Sequence, residues 1–215
     1  SSGQPFRFGG WADGNYSAMG PDWKKDLRYH DNSLVTNVSL KHEALGLELR
    51  CSDVVALDSN VYIKKIEVTN LQDKTRQVRL FFIHDFFLYG NDIGGTAYFD
   101  PRSCSIIHYK MHRYFLMSCW AHGEWGVKHF ACGRTGDATG KDAENGQLSG
   151  EPSAWGSPHS IVGIWLDLPA KGQTDAYYWM AAGTTYLEVA KLNLEVHQKT
   201  PEEIIRRSLK YWKAW

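Results

Sequence analysis

Short period-two alternations follow one another from about residue 34 to residue 181, and they limit what this chain can fold into more than any other feature. Leu34, Thr36, Val38 and Leu40 alternate with Val35, Asn37 and Ser39, and Leu45, Leu47 and Leu49 stand opposite Glu48 and Arg50. Residues 61–68 alternate apolar side chains with Lys and Glu, and residues 70–74 give a polar turn. Residues 77–88 read as a long aromatic-rich strand in which Arg79 and His84-Asp85 interrupt an apolar run. Further strands are expected at 105–109, 114–120 and 126–132, at hairpin spacing, and at 161–168 and 174–181. Strands in succession with short turns predict a mainly β fold, a large antiparallel two-sheet sandwich, rather than a βαβ arrangement. A chain of 215 residues buries a sizeable core without disulfides or metals.

Two segments depart from this pattern. Residues 133–160 are dominated by Gly, Asp, Ser and Pro, a long excursion that is either a solvated loop or a functional one. Beyond residue 184 the period changes: Tyr186, Val189, Leu192 and Val196 step by three and four, which fits one helical face. Thr200-Pro201-Glu202-Glu203 has an N-cap residue, a Pro at the first helical position and a Glu at capping-box spacing. Ile204, Ile205, Leu209, Tyr211, Trp212 and Trp215 then form a wide apolar stripe. The division predicted is a sandwich domain over 1–184 and a helical segment over 185–215. The aromatic end of that segment calls for something to pack on, whether this domain's own sheet, another subunit or a following domain.

Lys plus Arg and Asp plus Glu are both 24, a balance that argues against a nucleic-acid module. No apolar run approaches the ~18 residues of a membrane-spanning helix, so no membrane partner is expected. Cys51, Cys104, Cys119 and Cys132 lack C-x-x-C spacing and read as free thiols, which favours a cytoplasmic location. His108 and His112 would make a metal-ligand pair only on a helix, and their surroundings read as strand and turn, so neither metal nor cofactor is expected. His84-Asp85 lies in an apolar strand and reads as a structural pair that needs hydrogen-bond partners. Glycoside hydrolysis needs two carboxylates flanking one bond. Asp85, Asp92, Asp142, Glu144 and Glu151 are available, but no spacing singles out an acid and a base, and no catalytic set is assigned. Trp11, Trp125 and Trp155 sit beside glycines and could stack on sugars or simply pack.

The stretch Leu80-Phe81-Phe82-Ile83-His84-Asp85-Phe86 continues through Tyr89-Gly90-Asn91-Asp92-Ile93-Gly94-Gly95-Thr96-Ala97-Tyr98-Phe99-Asp100-Pro101. It resembles the N-terminal β-sandwich domain of prokaryotic glucoamylase-type enzymes, glycoside hydrolase family fifteen. Asn60-Val61-Tyr62, Val68-Thr69-Asn70-Leu71, Ile106-Ile107-His108-Tyr109-Lys110, Arg113-Tyr114-Phe115-Leu116, the segment from Lys141 to Gly150, and the terminal Tyr211-Trp212-Lys213-Ala214-Trp215 add to the resemblance, which covers nearly the whole chain in order. Three departures stand out: members usually open with further strands ahead of Ser1, Gly95 replaces a usual Asp, and Met111-His112 replaces a Gly-Asp-type turn.

The resemblance implies a super-sandwich, followed by linker helices and an α/α toroid that carries the acid and base of an inverting hydrolysis. That toroid would begin after Trp215, so no catalytic residue carries over to this chain. What carries over is a non-catalytic role in an α-glucan or α-glucoside hydrolase of glucoamylase, glucodextranase or trehalase type. The sandwich would pack on the toroid and shape the rim of the substrate pocket. Tyr89, Asn91, Asp92, Thr96 and Trp155 are the expected interface or glycan-rim residues, and Ile205, Leu209, Trp212 and Trp215 the expected docking helix. For Asn91 and Asp92 a purely local turn-stabilising role is equally open. Two other classes of function stand beside this one. A carbohydrate-binding module would hold maltooligosaccharides by itself, and a self-association module would form a homo-oligomer through the terminal helix and sheet edges. A free-standing sugar mutarotase would need an acid and base facing one groove, and no such pair can be named.

Overall fold

The computed structural model describes residues 6–134, 136 and 141–215. The fold is a sandwich of two antiparallel sheets with two helices packed on the outside of the larger one. The smaller, five-stranded sheet runs β12 (His129–Arg134), β14 (Pro158–Leu168), β7 (Arg76–His84), β1 (Phe6–Ala12), β2 (Asn15–Ala18). The larger sheet has ten strands. It runs β13 (Ser153–Gly156), β8 (Gly95–Asp100), β9 (Ser105–Lys110), β10 (Arg113–Ala121), β15 (Gln173–Gly183), β6 (Val61–Asn70), β5 (Leu47–Val55), β4 (Thr36–His42), β3 (Lys24–Tyr29), with the short β11 (Glu124–Trp125) paired to β10.

Alternation sorts the apolar side chains into three layers. Val78, Leu80 and Phe82 of β7 meet Leu49, Ile66, Ile106, Met117 and Tyr178 of the larger sheet in the inter-sheet core. The rings of Phe8, Phe82 and Tyr178 stack there in sequence, with centroids 4.9 and 4.2 Å apart. The opposite side of the larger sheet carries Ile63, Ile107, Leu116, Tyr177 and Trp179, and two helices cover it: α2 (Tyr186–Lys199) through Val189 and Val196, and α3 (Pro201–Ala214) through Ile204 and Ile205. A third layer lies on the outside of the smaller sheet, where Phe81, Ile83 and Ile161 are buried. This explains why β7 reads as an almost unbroken apolar run: as a central strand it is buried on both faces.

Residues 133–160, expected as a loop, do more than connect, although Thr135 and residues 137–140 lie outside the described residues. The short helix α1 (Asp142–Asn145) and Leu148 cap the third layer, and β13 then joins the edge of the larger sheet. The strand expected over 77–88 ends at His84. Phe86 and Leu88 still point into the inter-sheet core, but their backbone has left the sheet.

Strands β1, β2, β3 and β8 add to the expected set, and β1, β3 and β8 hide their period for physical reasons. In β1, Gly9 and Gly10 replace side chains, because a Cβ at Gly9 would lie 2.5 Å from the Tyr16 ring. All six residues of β3 are exposed, so no alternation is written into it. The inward row of β8 is Gly95, Ala97 and Phe99, so that only its last member is a large apolar side chain.

The helix caps form as expected at Thr185 and Thr200, whose hydroxyls accept from the N–H groups of Glu188 (3.2 Å) and Glu203 (3.3 Å). The Glu203 carboxylate, however, pairs with Arg206 at 2.8 Å instead of returning to the cap.

Candidate functional site

The connection from β7 to β8 gathers most of the residues singled out by sequence. Leu88 and Phe86 anchor its start in the core, and the single 3-10 turn Leu88–Gly90 throws Tyr89 outward with φ 59°, ψ 28°. That left-handed geometry is uncommon for a bulky residue. The Tyr89 ring is about half exposed, and the Arg113 guanidinium lies 4.3 Å from its centroid. Asn91 closes the next turn: its Oδ1 accepts from the Ile93 N–H at 3.2 Å and from Lys110 Nζ at 2.5 Å. Asp92 Oδ2 accepts from the Ser157 hydroxyl at 3.2 Å, which ties the loop to the segment between β13 and β14.

Thr96 and Trp155 face each other across the β8–β13 pair, so Trp155 stands at the edge of the larger sheet. Its side chain is 66% exposed, with the Arg134 guanidinium 4.3 Å from its ring. Gly95 opens β8 and is buried against Pro158, whose ring would lie 3.2 Å from an added Cβ. It belongs to the strand, not to the loop tip.

Tyr89, Asn91, Asp92, Thr96 and Trp155 thus border one end of the sandwich. The cavity beneath them, lined by Phe86, Asn91, Asp92, Thr96 and Lys110, holds only about 10 Å³. That is room for about one water and not for a sugar ring. What the site offers is a surface: exposed Tyr89, Ile93 and Trp155, with Lys110, Arg113 and Arg134 set among them. Arg113 and Arg134 escape sequence reasoning, because each reaches its aromatic partner from a distant strand.

The other candidates lie elsewhere. Ile205 is buried and Leu209 packs beside it on the outer face of the larger sheet. Trp212 is half-buried between Tyr211 and Trp215, with ring centroids 5.3 and 6.2 Å away, and Trp215 is 90% exposed. Trp11 lies under Arg79, 4.3 Å from ring to guanidinium, and Trp125 packs against Trp179 and His197. Both serve packing.

His108 is buried in β9 while His112 sits in the exposed β9–β10 turn. Among the described residues no group of three or more His, Cys, Asp or Glu is arranged to hold a metal ion. His84 is fully buried and finds the partners it needs, Ser160 Oγ at 3.1 Å and Tyr178 OH at 2.7 Å, while His108 Nε2 reaches the same Ser160 hydroxyl at 2.8 Å. Burial, reinforced by His108, holds the His84 imidazole well below its ordinary pKa. Burial and then His159 push His108 down to about 3. Neutral and enclosed between the sheets, these imidazoles hold the interior together. Asp142 Oδ2 accepts from the Ser149 N–H at 3.1 Å, and Glu144 and Glu151 are exposed. Cys51, Cys119 and Cys132 are buried free thiols, and Cys104 is half-buried.

No protein-family model matches this chain, and no curated protein matches it. Solved structures do share the fold. A bacterial glucoamylase complexed with acarbose superposes over 96% of this chain with a TM-score of 0.71 at 17% identity. A protein described as a kojibiose phosphorylase from the human microbiome superposes over 96% with 0.60 at 9% identity. A polysaccharide lyase superposes over 89% with 0.51 at 8% identity. The chain spans 31%, 27% and 27% of those three proteins, so it corresponds to a part of each.

Proposed function

We propose that this chain is the non-catalytic sandwich domain of a glucoamylase-type α-glucan or α-glucoside hydrolase of glycoside hydrolase family fifteen. In this reading it packs on an α/α toroid of the same polypeptide and supplies part of the pocket rim. The observation that carries the reading is the superposition of nearly the whole chain on under a third of a bacterial glucoamylase. Two features of the molecule agree with it. His84, His108 and Asp92 are engaged in interior or loop hydrogen bonds. The surface of Tyr89, Ile93 and Trp155 is apolar and aromatic with cations interleaved, which suits both a protein neighbour and a sugar face. On this reading Tyr89 and Trp155 make the outward contacts, and Asn91 and Asp92 fix the loop that presents Tyr89.

The mass of the native gene product in its own cells tests the reading first. A polypeptide much heavier than 24.5 kDa is expected, and a product of that mass would overturn it. In the heavier polypeptide, replacing Tyr89, Asn91 and Asp92 together by Ala is expected to raise KM or lower kcat on α-glucans by roughly tenfold, the effect of ~1.4 kcal/mol. Unchanged stability, kcat and KM would remove the rim role.

A further inference from the structure

Among the described residues β3, Lys24–Tyr29, is one of the two edge strands of the larger sheet, and every one of its residues is exposed. An edge strand offers a row of unpaired backbone groups, and this one also carries an apolar row. Leu27 stands opposite Val38, which in turn stands opposite the buried Cys51, so Leu27 and Tyr29 lie on the inner side of the sheet, where β3 overhangs the sandwich. Leu27 is 70% exposed and Tyr29 62% exposed. Asp26 and Arg28 share the outer side, with Arg28 Nη2 2.9 Å from Asp26 Oδ2.

We infer that β3 is a self-pairing edge: two copies of this chain associate through antiparallel β3 strands about a two-fold axis at Leu27, which makes one continuous sheet. The argument is one of register and charge. A two-fold axis perpendicular to a sheet preserves its faces, so it pairs inner residues with inner and outer with outer. Centring it on Leu27 sets Leu27 against the partner's Leu27, Lys25 against the partner's Tyr29, and Asp26 against the partner's Arg28, the last two contacts occurring twice. The adjacent centres fail: one on Asp26 opposes two carboxylates, and one on Arg28 opposes two guanidiniums. Like charges directly opposite are unfavourable and unlike charges favourable, and the Lys25 ammonium suits the face of a tyrosine ring. Of the three centres on Asp26, Leu27 and Arg28, the one on Leu27 alone sets no like charges against each other. Neither the toroid nor any glycan enters this inference, and it stands or falls apart from the proposed function.

Sedimentation of the 215-residue chain at low ionic strength, from about 5 µM to about 500 µM, tests it, with a dimer expected in the tens of micromolar because the contact lies below the ~1,200 Å² of stable interfaces. Asp26→Arg and Arg28→Asp should each weaken association by about tenfold or more, since each turns two attractions into two repulsions. An equimolar mixture of the two single variants should associate again, because one then presents two cations and the other two anions. The double exchange should behave like the parent chain. Leu27→Lys, which opposes two ammoniums at the axis, provides a further disrupting variant should either charge change impair folding. A monomer throughout the range, a dimer indifferent to the single changes, or single variants that fail to associate on mixing would each overturn the inference.

Discussion

The hydroxyl of Ser160 lies between two imidazoles, 3.1 Å from His84 Nδ1 and 2.8 Å from His108 Nε2, and Tyr178 OH closes the far side of His84 at 2.7 Å. All four groups are buried, so each bond replaces one that water would have made in the unfolded chain. Ser160→Ala should remove the hydroxyl that both imidazoles share and cost about 2 kcal/mol or more, read from the urea midpoint at neutral pH. Ser118 is the contrast. Its hydroxyl is equally buried but has no hydrogen-bond partner, so Ser118→Ala should lie within about 0.5 kcal/mol of the parent chain or above it. Equal losses at the two positions would mean that packing volume, not hydrogen bonding, sets the cost at Ser160.

Arg79 is where the pattern of an element and its environment diverge. Within β7 it breaks an apolar run, yet it belongs to the outer row of the strand, where its guanidinium lies 4.3 Å from the Trp11 ring and 5.1 Å from the Trp165 ring. Nη1 also donates to the carbonyl of Gly146, the residue that ends α1. Arg79 therefore joins the smaller sheet to the segment that caps it. Arg79→Ala should lower stability by about 1–3 kcal/mol through lost stacking and packing. It should also speed hydrogen exchange at the α1 amides far more than in β14. Unchanged protection of α1 would show that Ala143 and Leu148 hold the cap alone. The same contrast explains what the sequence reveals. Strand β5 is legible from Leu47 to Cys51 because Leu47, Leu49 and Cys51 share one face and Glu48 and Arg50 the other. Strand β6 is instead buried on both faces, with Ile66 and Val68 between the sheets and Val61 and Ile63 under the helices. Strands β1 and β3 are not legible, since glycines replace the periodic side chains in one and full exposure removes the pattern in the other. At the candidate site the loop itself is legible from Gly90, Asn91, Asp92 and Gly94. The cations beside it are not, because Arg113 meets Tyr89 only through the folding of β10 beside the loop, and Arg134 meets Trp155 only where β12 passes β13.

At the scale of the molecule, the two buried imidazoles make stability depend on pH within a defined window. In the unfolded chain an imidazole titrates near 6.5, and in the fold both stay neutral, His84 well below that value and His108 down to about 3. Below pH 6.5 the unfolded state thus binds more protons than the native state, and stability falls with falling pH. The stabilisation is present above the unfolded value near pH 6.5 and lost as the pH drops toward the folded values, at up to ~1.4 kcal/mol per unit for each imidazole. The groups bonded to or acting on the pair are His159, Ser160 and Tyr178, and His108 also lines the cavity of about 10 Å³ that it shares with Asp92 and Lys110. Carboxylates act lower down. Burial alone would raise Asp100, but hydrogen bonds from Ser103, Tyr186 and the Arg102 N–H outweigh it and hold its pKa below the ordinary 3.8, so its contribution disappears only as the pH falls through that acid range. Urea midpoints should therefore decline steeply from about pH 6.5 to pH 5, ahead of any carboxylate titration, and His108→Gln should remove about half of that slope while leaving the decline below pH 4 in place. A midpoint flat from pH 7 to pH 5 would mean that the interior admits the protonated imidazoles and that burial does not depress them.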